Sequence, residues 1–381
     1  MRPIQMVDLR QQYSKIEKEI NNAVLNVLDS SHYINGKEVQ DFATNLAKYL
    51  DVKYVIPCAN GTDALQIALM ALGLEPGDEV ITPSFTFIAT TEVIALLRLK
   101  PVFVEVDPKT FCINPDELLK LITPKTKAIV PVHLYGQTAP MDEIMAIAKK
   151  HNLFVIEDNA QAIGADYISA DGKKRKAGTI GNVGTTSFFP SKNLGAYGDG
   201  GAIFTNDDLL FEKIRMVANH GQSKRYYHDI VGCNSRLDTL QAAILNIKLQ
   251  HLDEYILARQ TVANFYDRAF ENNSKISIPF RSSSSTHVFH QYTLLLNEVE
   301  NPEKYRNELI DFLAQNGIPA MIYYPVPGHK QKMFEQFNSS FKEMPTTDWL
   351  TQRVFSLPIH TEMDTDQLNF ITSKVLAFLI K

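Results

Sequence analysis

The chain has 381 residues, 45% of them hydrophobic and 21% charged, with a formal net charge of −5. That length allows one large domain plus a smaller one, and that balance is ordinary for a soluble globular protein. The acidic surplus argues against nucleic acid as a partner, and no apolar run is long enough for a membrane span.

Arg2, Asp8 and Arg10 precede any apolar run, so no secretory signal is expected. Apolar residues at Ile16, Ile20, Val24, Val27 and Leu28 recur with a helical period, and Asn35-Gly36 then marks a loop. From 53 to about 205, short β-rich runs alternate with helical patterns. Tyr54–Cys58, Glu79–Thr82, Val102–Val106, Ala128–Val132, Phe154–Glu157, Thr185–Phe189 and Ala202–Thr205 read as strands; 63–72, 86–97, 116–122 and 140–151 read as helices. Fully apolar strands alternating with helices imply a mostly parallel sheet covered on both faces. The later strands follow one another with little helix between them, which leaves room for antiparallel pairing. The basic run Lys173–Lys176 follows Asp171-Gly172 and reads as a solvated hairpin tip.

Residues 207–219 and 237–270 read as long helices. A smaller α/β unit follows, with strands His287–Leu296 and Ala320–Tyr324, a helix Glu303–Gln315 and a last helix from about 365. The expected division is a large domain over 1–250 and a small C-terminal domain over 251–381. Cys58, Cys112 and Cys233 are widely spaced and give neither a zinc pattern nor a disulfide framework, so a reducing cytoplasm is the expected compartment.

Lys192 carries the functional reading. It lies between a strand-like stretch and the glycine cluster Gly195, Gly198, Gly200 and Gly201, flanked by Ser187 and Ser191. Upstream, Ile156-Glu157-Asp158 is an apolar strand ending in an acid. A lysine that can condense with an aldehyde, and an acid that can hold a pyridinium nitrogen, are the minimum equipment for pyridoxal phosphate chemistry. Alone, Asp158 is an ordinary strand-end cap. Asn60-Gly61-Thr62-Asp63 between strand and helix would likewise be a simple N-cap with Thr or Asp as the capping residue. Beside Lys192 and Asp158, the helix N-terminus becomes a phosphate site, with Ser187 as a further donor. Phe87 follows a strand end, where ligands of α/β sheets bind, and Gln161 could reach a phenolic oxygen. His133 and Tyr135 could line the same cleft or serve only their loop. Gly178, Gly181 and Gly184 do not form a dinucleotide fingerprint.

Six ordered motifs, from Asp8-Leu9 through Gly61-Thr62-Asp63-Ala64-Leu65, Glu157-Asp158-Asn159-Ala160-Gln161, Ser187-Phe188-Phe189-Pro190-Ser191-Lys192 and Asn234-Ser235-Arg236-Leu237-Asp238 to Ser356-Leu357-Pro358, resemble the DegT/StrS-type nucleotide-sugar aminotransferases. The resemblance runs end to end and implies the type I pyridoxal-phosphate fold. It implies Lys192 as the lysine that carries pyridoxal 5'-phosphate (PLP) and Asp158 as the ring-nitrogen partner. Gln161 would contact the phenolic oxygen, Phe87 would stack on the ring, and Gly61, Thr62 and Ser187 would hold the phosphate. Asn234 would reach the phosphate of a neighbouring subunit, which implies a homodimer with shared sites. Arg236, Tyr323 and Tyr324 are the expected substrate contacts, and L-glutamate the expected amino donor. Asn159 stands where Ala or Cys is usual.

Cys58–Gln66 and Arg225-Tyr226-Tyr227-His228 are similar to the branch that aminates C3 of UDP-linked 2-acetamido-3-keto hexuronic acids, a branch that often has His where this chain has Tyr323. The expected role is amination of a keto nucleotide sugar for cell-surface polysaccharide, such as lipopolysaccharide O-antigen. Members acting on neutral dTDP-linked 3-keto-6-deoxy sugars carry a similar Val132–Gln137 segment, and a neutral dTDP-linked 3-keto- or 4-keto-6-deoxy sugar is the alternative acceptor. A dehydratase of the same fold would lack Lys192, and a regulatory protein of the same fold would not need the full set.

Overall fold

A computed structural model describes residues 1–340 and 343–380. Helices α1 (Leu9–Ser30) and α2 (Lys37–Leu50) precede strand β1 (Tyr54–Cys58). Then come α3 (Gly61–Ala71), β2 (Glu79–Pro83), α4 (Ala89–Leu96), β3 (Lys100–Val104), α5 (Pro115–Leu119), β4 (Thr126–Ile129), α6 (Met141–His151) and β5 (Phe154–Asp158). A hairpin of β6 (Asp166–Ile168) and β7 (Lys174–Lys176) precedes β8 (Val183–Ser187), β9 (Gly201–Thr205) and α7 (Asp208–Ala218). A second hairpin, β10 (Gln222–Lys224) and β11 (Tyr227–His228), leads to α8 (Thr239–Gln250) and α9 (Leu252–Phe270). The remainder is β12 (Ile276–Ser277), β13 (Tyr292–Leu296), α10 (Pro302–Gln315), α11 (Pro345–Thr351), β14 (Val354–Leu357) and α12 (Thr365–Leu379).

Seven strands form the main sheet in the order β1-β9-β8-β5-β4-β2-β3. β9 alone runs antiparallel to both its neighbours, and the other pairings are parallel. Both faces are covered, as the apolar strands require. On one face Leu65, Ala68, Val93, Ile214 and Val217 pack against strand residues such as Val80 and Ile156. On the other, Phe42, Leu46, Leu245 and Leu249 pack against Val55, Ala202 and Phe204. β12, β13 and β14 form a separate antiparallel sheet, packed with Tyr266, Leu309, Leu313 and Ile371 from α9, α10 and α12.

The register sets up the site. Cys58 at the end of β1 and Ser187 at the end of β8 both pair with Gly201. Asp158 at the end of β5 pairs with Thr185. Three chain segments, after β1, β5 and β8, therefore leave the sheet at one carboxyl edge, where open α/β sheets bind ligands.

Several sequence expectations need correction. The helix expected over 237–270 breaks at His251, whose backbone is not helical, into α8 and α9. The strand expected from His287 begins only at Tyr292, because Phe289 takes a left-handed φ of +46°. Ala320–Tyr324 contributes a single bridge, Met321 to Ser356, instead of a strand. α2 was not expected, although Phe42, Leu46 and Leu50 stand at the i, i+4, i+8 spacing of a buried helical face. The basic hairpin is solvated as expected, with Lys174 and Lys176 on Asp166. No described helix is long and apolar enough to cross a membrane.

Candidate active site

A cavity of about 840 Å³ opens at the carboxyl edge of the main sheet. Lys192, Asp158, Gly61, Thr62, Phe87, Gln161, Ser187, Tyr323 and Tyr324 all line it. That places nine of the eleven residues expected from the sequence on one surface. Asn234 and Arg236 lie elsewhere, in a cavity of about 430 Å³ with Ile34, Ala59 and Gln241. Asp199 borders both spaces.

Strand alternation sends the two acids of β5 in opposite directions. Glu157 is fully buried, and its carboxylate accepts from the amides of Gly178, Ile180 and Gly181 at 2.9, 2.6 and 2.6 Å. His133 Nδ1 accepts from the Ala139 amide at 3.1 Å, so its Nε2–H donates to Glu157 at 2.8 Å. His133 is thus a structural residue, and the glycines at 178 and 181 serve a carboxylate of the chain itself. Asp158 points to the cavity and is 5% exposed. Its Oδ2 accepts from Thr90 Oγ1 at 2.7 Å and its Oδ1 from the Ala160 amide at 3.1 Å. Two donors and the strand end hold this carboxylate in one orientation.

The cap of α3 is Asn60, not Thr62 or Asp63: its Oδ1 accepts from the Asp63 amide at 2.8 Å. Gly61 is needed for close approach, because a Cβ there would lie 2.6 Å from Ser187 Cβ. The α3 N-terminus and the Ser187 hydroxyl therefore form one anion cradle. Downstream, the Lys192 amide donates to Phe189 O at 2.8 Å, and a Cβ on Gly195 would lie 2.2 Å from Pro190 O. Only glycine lets this loop fold back tightly enough to aim Lys192 into the cavity. The lysine opens on the cavity, yet burial pushes its ammonium down to about 8 against the pull of Asp158.

Gln161 is already engaged at both ends. Its Oε1 accepts from the Tyr135 amide at 2.8 Å, and its Nε2 donates to Tyr324 Oη at 2.9 Å. Tyr135 itself is buried outside the cavity, its hydroxyl donating to Tyr323 O. Burial raises the phenols of Tyr323 and Tyr324 above their ordinary range. Phe87 is 54% exposed, its ring 6.1 Å from that of Tyr324.

Sequence reasoning missed Thr90, the Gln5–Leu9 segment, Phe189, His290, Gln291 and Ile359, all at or bordering the cavity. Thr90 could have been found as a helix residue facing the strand end. Leu9 and Phe189 lie inside motifs already singled out, Asp8-Leu9 and Ser187–Lys192; the others reach the site through tertiary packing, which leaves no local signal.

The expected cofactor fits what is present. The phosphate cradle at Gly61 and Ser187, the oriented carboxylate of Asp158 and the enclosed amine of Lys192 share one cavity of a size that takes a cofactor with part of a substrate.

Residues 14–376 match the model of the DegT/DnrJ/EryC1/StrS aminotransferase family. Among curated relatives, the "Pleiotropic regulatory protein" of Geobacillus stearothermophilus is 45% identical over 98% of this chain and 98% of that protein. The UDP-2-acetamido-2-deoxy-3-oxo-D-glucuronate aminotransferase of Pseudomonas aeruginosa is 46% identical over 97% of this chain and 98% of that one. Among solved structures, S. venezuelae DesV in complex with a ketimine intermediate superposes with a TM-score of 0.93 at 35% identity, each chain covered in full (100% and 100%).

Proposed function

The chain belongs to the DegT/DnrJ/EryC1/StrS aminotransferase family and is a PLP-dependent aminotransferase of nucleotide-linked keto sugars; on that premise we propose that it moves an amino group from L-glutamate to the C3 keto group of its sugar. The observation that carries the reading is that Lys192, Asp158 and the Gly61–Ser187 cradle share one cavity. When bound, pyridoxal phosphate supplies a carbonyl that takes up the amino group and a ring that accepts an electron pair. The chain supplies the rest. The α3 N-terminus at Gly61 and Thr62, with Ser187, would bind the phosphate, Phe87 would cover the ring, and Gln161 would serve its phenolic oxygen. Asp158 would accept a hydrogen bond from the ring nitrogen and favour its protonated form. Lys192 would hold the cofactor and, once its amine is free, take the proton from the amino donor's α-carbon.

A lysine amine does this work only when neutral. As pH rises through about 8 the Lys192 ammonium loses its proton, so the reactive form grows with pH. Covalent uptake of pyridoxal phosphate by the cofactor-free protein is expected to rise about fivefold from pH 7 to pH 8 and to level off above pH 9. A rate that is flat over that range, followed by stopped-flow absorbance, would place the titration elsewhere.

We further propose a homodimer in which Asn234 and Arg236 complete the partner's site, consistent with their lying outside the Lys192 cavity. Asn234→Ala is expected to weaken cofactor retention, whereas Arg236→Ala is expected to harm turnover through loss of substrate anion binding. Mixing inactive Lys192→Ala protein with inactive Arg236→Ala protein should restore part of the activity, because one site of a mixed dimer receives both intact residues. No recovery after confirmed subunit exchange would sink the shared site. The division into domains at about residue 250, a cytoplasmic setting and a role in cell-surface polysaccharide, such as lipopolysaccharide O-antigen, belong to the same proposal.

The second acceptor class is the neutral dTDP-linked 3-keto- or 4-keto-6-deoxy sugars. Among the described residues lining the cavity of one subunit, Lys192 is the one cationic side chain, beside the acids Asp158 and Asp199, so an acidic sugar would depend on Arg236 from a second copy and a neutral one would not. Turnover of UDP-linked 3-keto uronic acids, neutral UDP-linked 3-keto sugars and dTDP-linked keto-deoxy sugars, each with L-glutamate, decides between the classes.

A further inference from the structure

We propose that Arg259, on α9, is a positioning residue for the substrate side of the cavity and acts through His290 and Ile359; the inference rests on the aminotransferase reading above. The cofactor side of the cavity is built from the main sheet and the loops leaving it, at 60–62, 158–161 and 187–192. Part of the remaining lining, beside Phe87, Tyr323 and Tyr324, comes from segments far apart in sequence: Gln5, Met6, Val7 and Leu9; His290 and Gln291; Leu357 and Ile359. One guanidinium ties these together. Arg259 Nη1 donates to Phe289 O at 3.1 Å, His290 O at 3.2 Å and Ile359 O at 3.0 Å. Ile359 in turn donates its amide to Met6 O at 3.3 Å, which hangs the N-terminal segment on the same support.

Arg259 is 3% exposed, and no described carboxylate forms an ion pair with it. A buried charge held by carbonyls alone is a costly way to fill a core, and an apolar side chain would serve packing better. What the guanidinium offers instead is a rigid planar group whose Nη1, with its two N–H groups shared among three carbonyls, sets them at once. The segment it holds is gripped from the other side too. Val288 donates its amide to Gly136 O at 2.8 Å, and Asn193, the residue after Lys192, donates its side-chain amide to Val288 O at 2.8 Å. Between these grips Phe289 takes its left-handed turn, and His290 faces the cavity that Lys192 faces. Burial, then the charge of Lys192, keeps the His290 imidazole neutral, so it adds no cation to the reacting end.

The test compares Arg259→Met, Arg259→Lys and His290→Ala with Gln260→Leu as a control. Gln260 sits beside Arg259 on α9 and donates to His287 O at 3.1 Å, but reaches none of the lining carbonyls. Four readouts are needed: melting temperature, pyridoxal phosphate affinity of the cofactor-free protein by absorbance titration, and KM and kcat for the keto nucleotide sugar. Arg259→Met is expected to raise the sugar KM about tenfold or more while cofactor affinity stays within about twofold, with partial recovery in Arg259→Lys. Gln260→Leu should lose melting temperature alone. If Arg259→Met does not fold, Arg259→Lys and His290→Ala carry the test, each expected to raise the sugar KM with cofactor affinity kept. Arg259 variants that lower only the melting temperature, or that lose cofactor affinity in step with the sugar, overturn the proposal. A wild-type protein that binds the cofactor yet aminates no keto sugar overturns the functional reading instead, and this inference with it.

Discussion

Lys192→Ala is expected to reduce amino transfer by about 10³-fold or more, while the protein folds at least as well as the parent. The loss follows from placement. No other described lysine lines the cavity, so no other amine can hold the cofactor or take the donor's α-proton there. The stability expectation follows from the sign of the Lys192 shift. Its ammonium is pushed down to about 8, so below that pH the folded chain carries a charge that burial disfavours. In the unfolded chain the lysine keeps its proton to higher pH, so this group makes stability rise with pH between about 8 and its ordinary value. Removing it takes that penalty away at pH 7. Pyridoxal phosphate should still bind through Gly61, Thr62 and Ser187, but borohydride should no longer fix it to the chain. Native turnover in the variant, or borohydride labelling of another lysine in the parent, would show that the wrong residue has been chosen.

What the sequence made legible follows from where its signals are local. The strands after which the site is built announce themselves as short apolar runs, and the structure places β1, β5 and β8 within two residues of their expected bounds. The cofactor side of the cavity was equally legible, because each part is a short motif at a strand end: Gly61-Thr62 after β1, Asp158 closing β5, Ser187 to Lys192 after β8. The rest of the lining was legible in part: Tyr323 and Tyr324 were expected there, whereas residues at 5–9, 290–291 and 357–359 come from distant segments that Arg259 and the Ile359–Met6 hydrogen bond tie together. No periodicity or turn signal encodes such a meeting. The break at His251 was hidden for a related reason. Both flanking segments, α8 and α9, keep a helical pattern, and the bend lies in one residue's backbone. His133 could be read two ways from the sequence, cleft or loop, and the structure makes it an internal partner of Glu157.

Asp158→Asn is expected to slow the half-reaction with L-glutamate by about 10²- to 10³-fold, close to 2.7–4 kcal/mol of barrier. The geometry makes this substitution a clean probe. Asparagine has the shape of aspartate, and its Oδ1 can still accept from the Thr90 hydroxyl or the Ala160 amide, so at most about one hydrogen bond of stability, ~1 kcal/mol, is at risk. What disappears is the negative charge at the buried end of β5. Asp158 is the carboxylate of β5 that faces the cavity, since Glu157 points away and is consumed by three amides and His133. Without that charge nothing keeps the cofactor's ring nitrogen protonated, and a neutral ring accepts the electron pair from the α-carbon less readily. Cofactor retention should fall far less than the rate, because the phosphate cradle is untouched. Single-turnover absorbance with L-glutamate separates the two effects. A half-reaction near the parent rate, with the melting temperature lowered by the loss of the Thr90 bond, would reduce Asp158 to a strand-end cap.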